Sequence, residues 1–239
     1  MEVAPRIHRV GAEIISSYLV EDGGEVVIVD AGAPADWATL PSVLAAMGRS
    51  FDDVRAVLLT HGHEDHIGFA ERAREAGIPV NIHDADAALA RGEEKTARLV
   101  VGPYRPIPLL GFLVHYVRSG LIRVRRIREV ATFGDGATLD VPGAPHVIHV
   151  PGHTLGSAAL HFPGHDALFS GDAINTYAVT SGRTGPQLSP FNRDRAQALD
   201  SLKRIEDVPA THVLPGHGAT WHQGVKSAVT AVRATNPLG

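Results

Sequence analysis

Five short apolar runs in this chain each lead to a side chain able to bind a metal ion. "VVIV" leads to Asp30, "AVLLT" to His61, "VIHVPG" to His153, "ALFSG" to Asp172 and "HVLPG" to His217. Short runs rich in Val, Ile and Leu, bounded by Gly and Pro, read as buried strands. Side chains just past strand ends sit on loops held by a rigid scaffold, where reactive groups are commonly placed. Strands lying side by side would bring these polar ends to one rim. The chain is therefore expected to build sheets, with a site along their edge.

The rest of the pattern fits around those strands. "EIISSYLVEDGGEVVIVDAG" divides at Asp22-Gly23-Gly24 and predicts a β-hairpin, with Val26 to Val29 apolar throughout and so buried on both faces. "DWATLPSVLAAMGRS" reads as a helix, Pro41 standing where a helix can begin. "VRAVLLT" is a strand, "DHIGFAERAREAG" a helix stopped by Gly77 and Pro79, and "IPVNIH" a strand. The first half thus runs β-β-α-β-α-β. In the second half, strands are expected at "LIRVRRIREV", "ATLDV", "HVIHV", "SAALHF" and "DALFSG". "NRDRAQALDSLKRIED" follows as a helix, with Asn192 as N-cap and Ala196, Leu199, Leu202 and Ile205 as its buried stripe. "THVLPGHG" and "VKSAVTAVRA" give a last strand and a last helix. Two halves of strands followed by helices predict two sheets packed face to face with helices outside.

Between about 91 and 120 the rhythm breaks. Pro103, Pro106 and Pro108 precede a helical stripe of Leu110, Leu113, Val114, Val117 and Leu121, so this stretch reads as a basic, partly helical insertion. Its plain reading is a packed connector, and its functional reading a lid or substrate wall. From Arg91 to Val130 nine Arg or Lys stand against three Glu, a net +6, in a chain whose total is -4. The plain reading of that charge is a solvated face; the sharper one is a patch that draws in anionic substrates.

Composition removes several classes. With 239 residues, 44% of them hydrophobic, the chain can bury a sizeable core. It has no cysteine, which excludes a disulfide scaffold, a thiolate zinc site and a cysteine nucleophile. Its N-terminus lacks a long apolar core after a basic start, and no window approaches the roughly 20 apolar residues of a membrane span. The expectation is a cytoplasmic protein with a small-molecule substrate and no membrane or nucleic-acid partner.

Spacing within "THGHEDH" carries the chemistry. His61 and His63 are two apart, so in an extended segment both point to one side and can grip one ion. Asp65 and His66, expected at the start of the next helix, can face a second ion. His153 would complete three imidazoles at the first, and His217 an Asp-His-His set at the second. Asp172 has two oxygens and can reach both. Catalytic zinc favours such N and O donors with one position left for water. Two divalent ions roughly 3.5–4 Å apart can hold one hydroxide between them.

"THGHEDH", "PGHTLGS", "SGDA" and "LPGHG", in this order, resemble the metal-binding motifs of the metallo-β-lactamase fold superfamily. The resemblance implies an α/β fold, a four-layer αββα sandwich of two mixed sheets packed face to face with helices outside. It implies one domain over residues 1–239, with the insertion at about 91–120. By the match His61, His63 and His153 bind metal 1, Asp65, His66 and His217 bind metal 2, and Asp172 bridges them. Asp30 in "VIVDAG" matches a position that orients the metal loop. Cysteine at the second metal marks some true β-lactamases, whereas an aspartate bridge is similar to glyoxalase II-like thioesterases and lactonases.

The resulting expectation is a dinuclear hydrolase holding two Zn²⁺, with Fe or Mn as alternatives. A metal-bridging hydroxide attacks a small ester, thioester or lactone, and Asp65 carries a proton to the leaving group. Amide hydrolysis of the β-lactamase kind, phosphodiester hydrolysis, and a mononuclear iron enzyme similar to sulfur dioxygenases stay open on the same ligands. Tyr177 and Arg183 are candidate substrate contacts, with a packing tyrosine and a surface arginine as their plain readings. Glu64 reads as solvated and His149 as strand-face packing beside the site. His8, His83, His115, His146, His161, His165, His212 and His222 are read as structural.

Overall fold

The computed structural model describes residues 1–95 and 104–235. Four strands open the chain: β1 (Glu2–Ala4), β2 (Ile7–Ala12), β3 (Ile15–Asp22) and β4 (Glu25–Val29). Then come α1 (Leu40–Ala46), β5 (Val54–Leu59), α2 (Ala70–Glu75), β6 (Val80–His83), α3 (Ala87–Arg91), α4 (Pro106–Arg118) and β7 (Ala131–Phe133). The second half holds β8 (His146–His149), β9 (Ala158–Phe162), β10 (Ala167–Gly171), β11 (Asn175–Tyr177), β12 (Thr184–Gln187), α5 (Arg195–Ser201), β13 (His212–Pro215) and α6 (Val225–Thr235).

β1 to β7 form one seven-stranded sheet in chain order, antiparallel as far as β4 and parallel from β4 to β7. The order β13-β10-β9-β8 makes a second mixed sheet, with β10 and β13 parallel. Alternation along the strands decides the layers. Val27, Val29, Ala56 and Leu58 of the first sheet meet Leu160, Phe162, Phe169 and Leu214 of the second in one core. The opposite side chains, Val26, Ile28, Val57 and Leu59, pack under α1 to α3 with Leu44, Ala73 and Ala90. Ala159, Leu168 and Val213 pack under α5 and α6. The four layers are therefore αββα, as expected. Val26 to Val29 are all buried because both faces of their sheet are covered.

Local expectations fare unevenly. The hairpin turns at Gly23 and Gly24, both at positive φ, with Asp22 paired to Glu25. Two strands that the periodicity missed, β1 and β2, precede it. "LIRVRRIREV" forms no strand: Arg125 turns outward to Glu75 while Ile127 enters the core under α3. "ATLDV" makes only one bridge, Thr138 to His146, between glycine turns; the strand lies earlier, at β7. The helix after "THGHEDH" begins at Ala70, not at Asp65. Residues 66–69 bond instead to 31–32, with Ala31 N–H donating to His66 O and Phe69 N–H to Ala31 O. α5 is capped by Asp194, which accepts from Gln197 N–H, while Asn192 donates to Ser189 O. Its buried stripe uses Ala198 beside Leu199, Leu202 and Ile205, and Ala196 is exposed.

In the insertion, residues 96–103 lie outside the described residues, and Pro103 with them. α4 is present, but its expected buried stripe points outward: Leu110, Leu113, Val114 and Val117 are exposed and only Leu121 is buried. No helix among the described residues is long and apolar enough to cross a membrane.

Candidate metal centre

All seven candidate ligands meet at one rim of the sandwich, and both sheets contribute. His61, His63, Asp65 and His66 follow β5; His153 follows β8, Asp172 follows β10 and His217 follows β13. His153 Nε2 lies 3.1 Å from His61 Nε2 and 2.8 Å from His63 Nδ1. His217 Nε2 lies 3.4 Å from an Asp65 oxygen. Asp172 stands between the two groups, Oδ2 3.4 Å from His153 Nε2, and Oδ1 3.5 Å from His66 Nε2 and 3.4 Å from His217 Nε2. His61, His63 and His153 could hold one metal ion, and Asp65, His66 and His217 another, the donor atoms of each set lying within 4.8 Å of one another.

The loops are fixed by hydrogen bonds reaching behind the ligands. Asp30, at φ 59, accepts from Thr60 N–H (2.8 Å), and its Oδ2 lies 2.9 Å from His66 Nδ1. A proton on His66 Nδ1 leaves Nε2 free to face the site. Thr60 Oγ1 lies 3.1 Å from His61 Nδ1, and His217 Nδ1 lies 2.5 Å from Ile14 O. Tyr18 O–H donates to Pro215 O (2.7 Å), holding β13 just before His217. Glycine is required where the turns touch. A Cβ on Gly68 would fall 2.1 Å from Gly32 O, and one on Gly216 2.5 Å from His66 Cε1.

Two residues that sequence reasoning passed over hold the ligand loops together. Asp86, buried after β6, accepts from Gly62 N–H (2.9 Å), Thr154 O–H (2.7 Å) and Gly156 N–H (2.7 Å), so one carboxylate ties the His61–His63 loop to the His153 loop. Ser189 O–H donates to Asp172 Oδ2 (3.1 Å). The signal for Asp86 was its place just past the strand "VNIH", like Asp30. Ser189 had none.

The donor set fits divalent cations. His66 Nε2 and Asp172 Oδ1 are buried with no hydrogen-bond partner, which is costly unless another charge meets them. Burial and neighbouring imidazoles push His61 well below its ordinary pKa and His63 down to about 4. Burial also lowers His153, so three neutral lone pairs converge, the form that binds metal. At the second group burial opposes charge, but Asp30, Asp172 and Asp65 overcome it at His66, while Asp172 and Asp65 raise His217 to about 9. That half of the site calls for positive charge.

A cavity of about 190 Å³ opens on the ligands, walled by Phe112, Tyr116, Val179 and Phe191 together with Glu64 and Asp65. Glu64 is paired with Arg126, not free in solvent. Tyr177 is absent from this wall and lines a separate cavity of about 390 Å³ with Trp221. Arg183 is exposed and lines neither cavity. His149 Nε2 lies 2.7 Å from Leu155 O and its ring stacks on His83, behind the His153 loop. Among the described residues, none of the eight histidines read as structural joins a group of three ligands.

Residues 10–217 match the family described as the metallo-beta-lactamase superfamily. A hydroxyacylglutathione hydrolase of Fuscovulum blasticum is 31% identical over 204 residues, covering 84% of this chain and 61% of that protein. A metallo-beta-lactamase family protein of Thermus thermophilus superimposes with a TM-score of 0.71 at 26% identity, covering 98% of this chain and 80% of that one. A protein solved in a di-iron-bound form gives 0.62, also at 26% identity, covering 92% and 96%.

Proposed function

The chain belongs to the metallo-β-lactamase superfamily, and from that premise we propose that it is a dinuclear metal-dependent hydrolase of small esters, thioesters or lactones with uncharged acyl groups. The observation that carries this reading is Asp172, a buried carboxylate whose two oxygens face His153 on one side and His66 and His217 on the other. His61, His63 and His153 would hold one ion, Asp65, His66 and His217 the other, and Asp172 would bridge. Zinc suits these donors, with iron or manganese as alternatives. When bound, such ions supply Lewis acidity and bring the pKa of a water toward neutrality. Ligands come from both sheets, which supports treating residues 1–239 as a single domain.

The chain's own residues then bind, orient and move protons. Phe112, Tyr116, Val179 and Phe191 enclose the acyl group and exclude water. Asp65, whose side chain is 19% exposed against 5% for Asp172, reaches the cavity and can pass a proton to the leaving group. Ser189 orients the Asp172 carboxylate by donating to Oδ2. Among the described residues no Lys or Arg lines this cavity, and Arg126 is tied to Glu64. That supports a neutral acyl group over the anionic substrate that the sharper reading of the charge pattern offers.

The test is elemental analysis of purified protein, followed by a panel of lactones, thioesters, phosphodiesters and β-lactams. About two metals per chain and cleavage of the carbonyl esters are expected. A single iron with oxygen consumption would sink the reading. His61→Ala and Asp172→Ala should each abolish hydrolysis and lower metal content.

A further inference from the structure

α4 has two faces. At about 100° per residue, Phe112 and Tyr116 lie on one side and wall the cavity. Ile107, Leu110, Leu113, Val114 and Val117 lie on the other, and all are exposed, Ile107 by 83% and Leu110 by 62%. Tyr104 and Ile122, just beyond the two ends of the helix, are exposed as well. Contiguous apolar surface of this kind marks a contact site.

The charge around the patch says what it contacts. From Thr96 to Arg128 the sequence has seven arginines and no Asp or Glu, in a chain of net charge -4. Arg125 and Arg126 pair with Glu75 and Glu64, and Arg128 lies 3.8 Å from Glu71, which Arg74 also holds. Arg105, Arg118 and Arg123, which flank the apolar face, are exposed and make no ion pair among the described residues. We propose that this face of α4 docks on an anionic lipid surface, the apolar side chains entering the headgroup boundary and the three arginines meeting lipid phosphates.

An apolar face with flanking cations is the composition of a helix lying in a membrane interface. A second copy of the chain fits poorly, because a twofold contact sets each patch against itself and brings unpaired arginines together with no acid between them. Nucleic acid would meet the arginines but leave the apolar arc in water. A peripheral contact of this kind needs no spanning segment.

The experiment is co-sedimentation of the metal-loaded protein with vesicles of phosphatidylcholine alone or mixed with phosphatidylglycerol, at low and high salt. Binding to the phosphatidylglycerol vesicles, weakened by salt, is expected. Arg105→Gln, Arg118→Gln and Arg123→Gln should each weaken it by about fivefold, and Leu110→Asp with Val117→Asp should abolish it. These outward positions should leave metal content and the melting temperature unchanged, and the glutamine variants preserve the apolar face should the aspartates perturb folding. Failure to bind anionic vesicles at low salt would overturn the proposal. So would a dimer dispersed by the aspartate pair, or RNA binding without vesicle binding.

Discussion

Gly216→Ala tests the site where the packing is tightest. The added Cβ would lie 2.5 Å from His66 Cε1 and 2.6 Å from Asp172 Oδ1, whereas carbon contacts ordinarily begin at about 3.5 Å. Something must therefore move by about 1 Å. The glycine itself is held on both sides, its N–H donating to Gly171 O (3.0 Å) and its carbonyl accepting from Ser16 N–H (2.9 Å). His66 is buried and pinned to Asp30, so the displacement falls on the two groups proposed as ligands. Metal sites tolerate only about 0.2 Å in ligand distance. Metal affinity should fall by about 100-fold or more, with a comparable loss in kcat/KM. Competition with a chromophoric chelator measures the affinity. Gly164→Ala, with nothing within 4 Å of its Cβ, is the control and should bind metal normally. If Gly216→Ala takes up two metals with unchanged affinity, His66 and Asp172 do not face a common site.

Other expectations follow from contacts behind the ligands. Asp86→Asn puts an amide N–H₂ among three donors, so metal affinity should drop by about 10- to 100-fold in the same competition assay, with about 2 kcal/mol lost in chemical denaturation. Tyr18→Phe leaves the Pro215 carbonyl unpaired and should cost about 1–2 kcal/mol in denaturation while metal content is kept. Glu71 is buried, and hydrogen bonds from Arg74 outweigh burial to lower its pKa below the ordinary 4.5. A carboxyl depressed in the folded state adds stability that is fully present above its unfolded pKa and is lost as pH falls through the folded one. Stability should therefore fall with acid from about pH 4.5 downward, and Glu71→Gln should flatten that part of the curve; an unchanged slope would remove Glu71 as its source.

The candidate ligands were legible because each follows an apolar run at a strand's end, a local pattern that one sequence displays. The αββα layering was legible for a related reason: side chains at successive positions, such as Val26 and Val27, enter different cores, which makes the runs apolar throughout. What the sequence hid depends on distant partners. Residues 66–69 have helical periodicity, yet the backbone at 31–32 claims the N–H groups of Gly68 and Phe69 and the carbonyl of His66, and α2 begins only at Ala70. "LIRVRRIREV" has strand composition, but Arg125 and Arg126 find acids on and before α2, with no neighbouring strand. The stripe on α4 has the spacing of a buried face, and periodicity alone does not say which way such a face points. Phe112 and Tyr116, outside that stripe, are the residues that reach the cavity.

The seven candidate ligands divide between the sheets, and this gives the polar turn after β5 its physical sense. His61, His63, Asp65 and His66 arrive on the seven-stranded sheet, while His153, Asp172 and His217 arrive on the four-stranded one. Contacts also cross between the sets: His61 and His63 look across to His153, and His66 looks across to Asp172. The apolar core formed by Leu58, Phe169 and Leu214 brings the sheets together and carries the polar ends to the rim as a consequence. Burial of apolar surface can therefore offset the desolvation of so many histidines and carboxylates. Hydrogen bonds from Asp30 and Asp86 lock the turns in register. On this account the interior carries the assembly and the loops need contribute little, which leaves atoms such as His66 Nε2 and Asp172 Oδ1 buried without a hydrogen-bond partner.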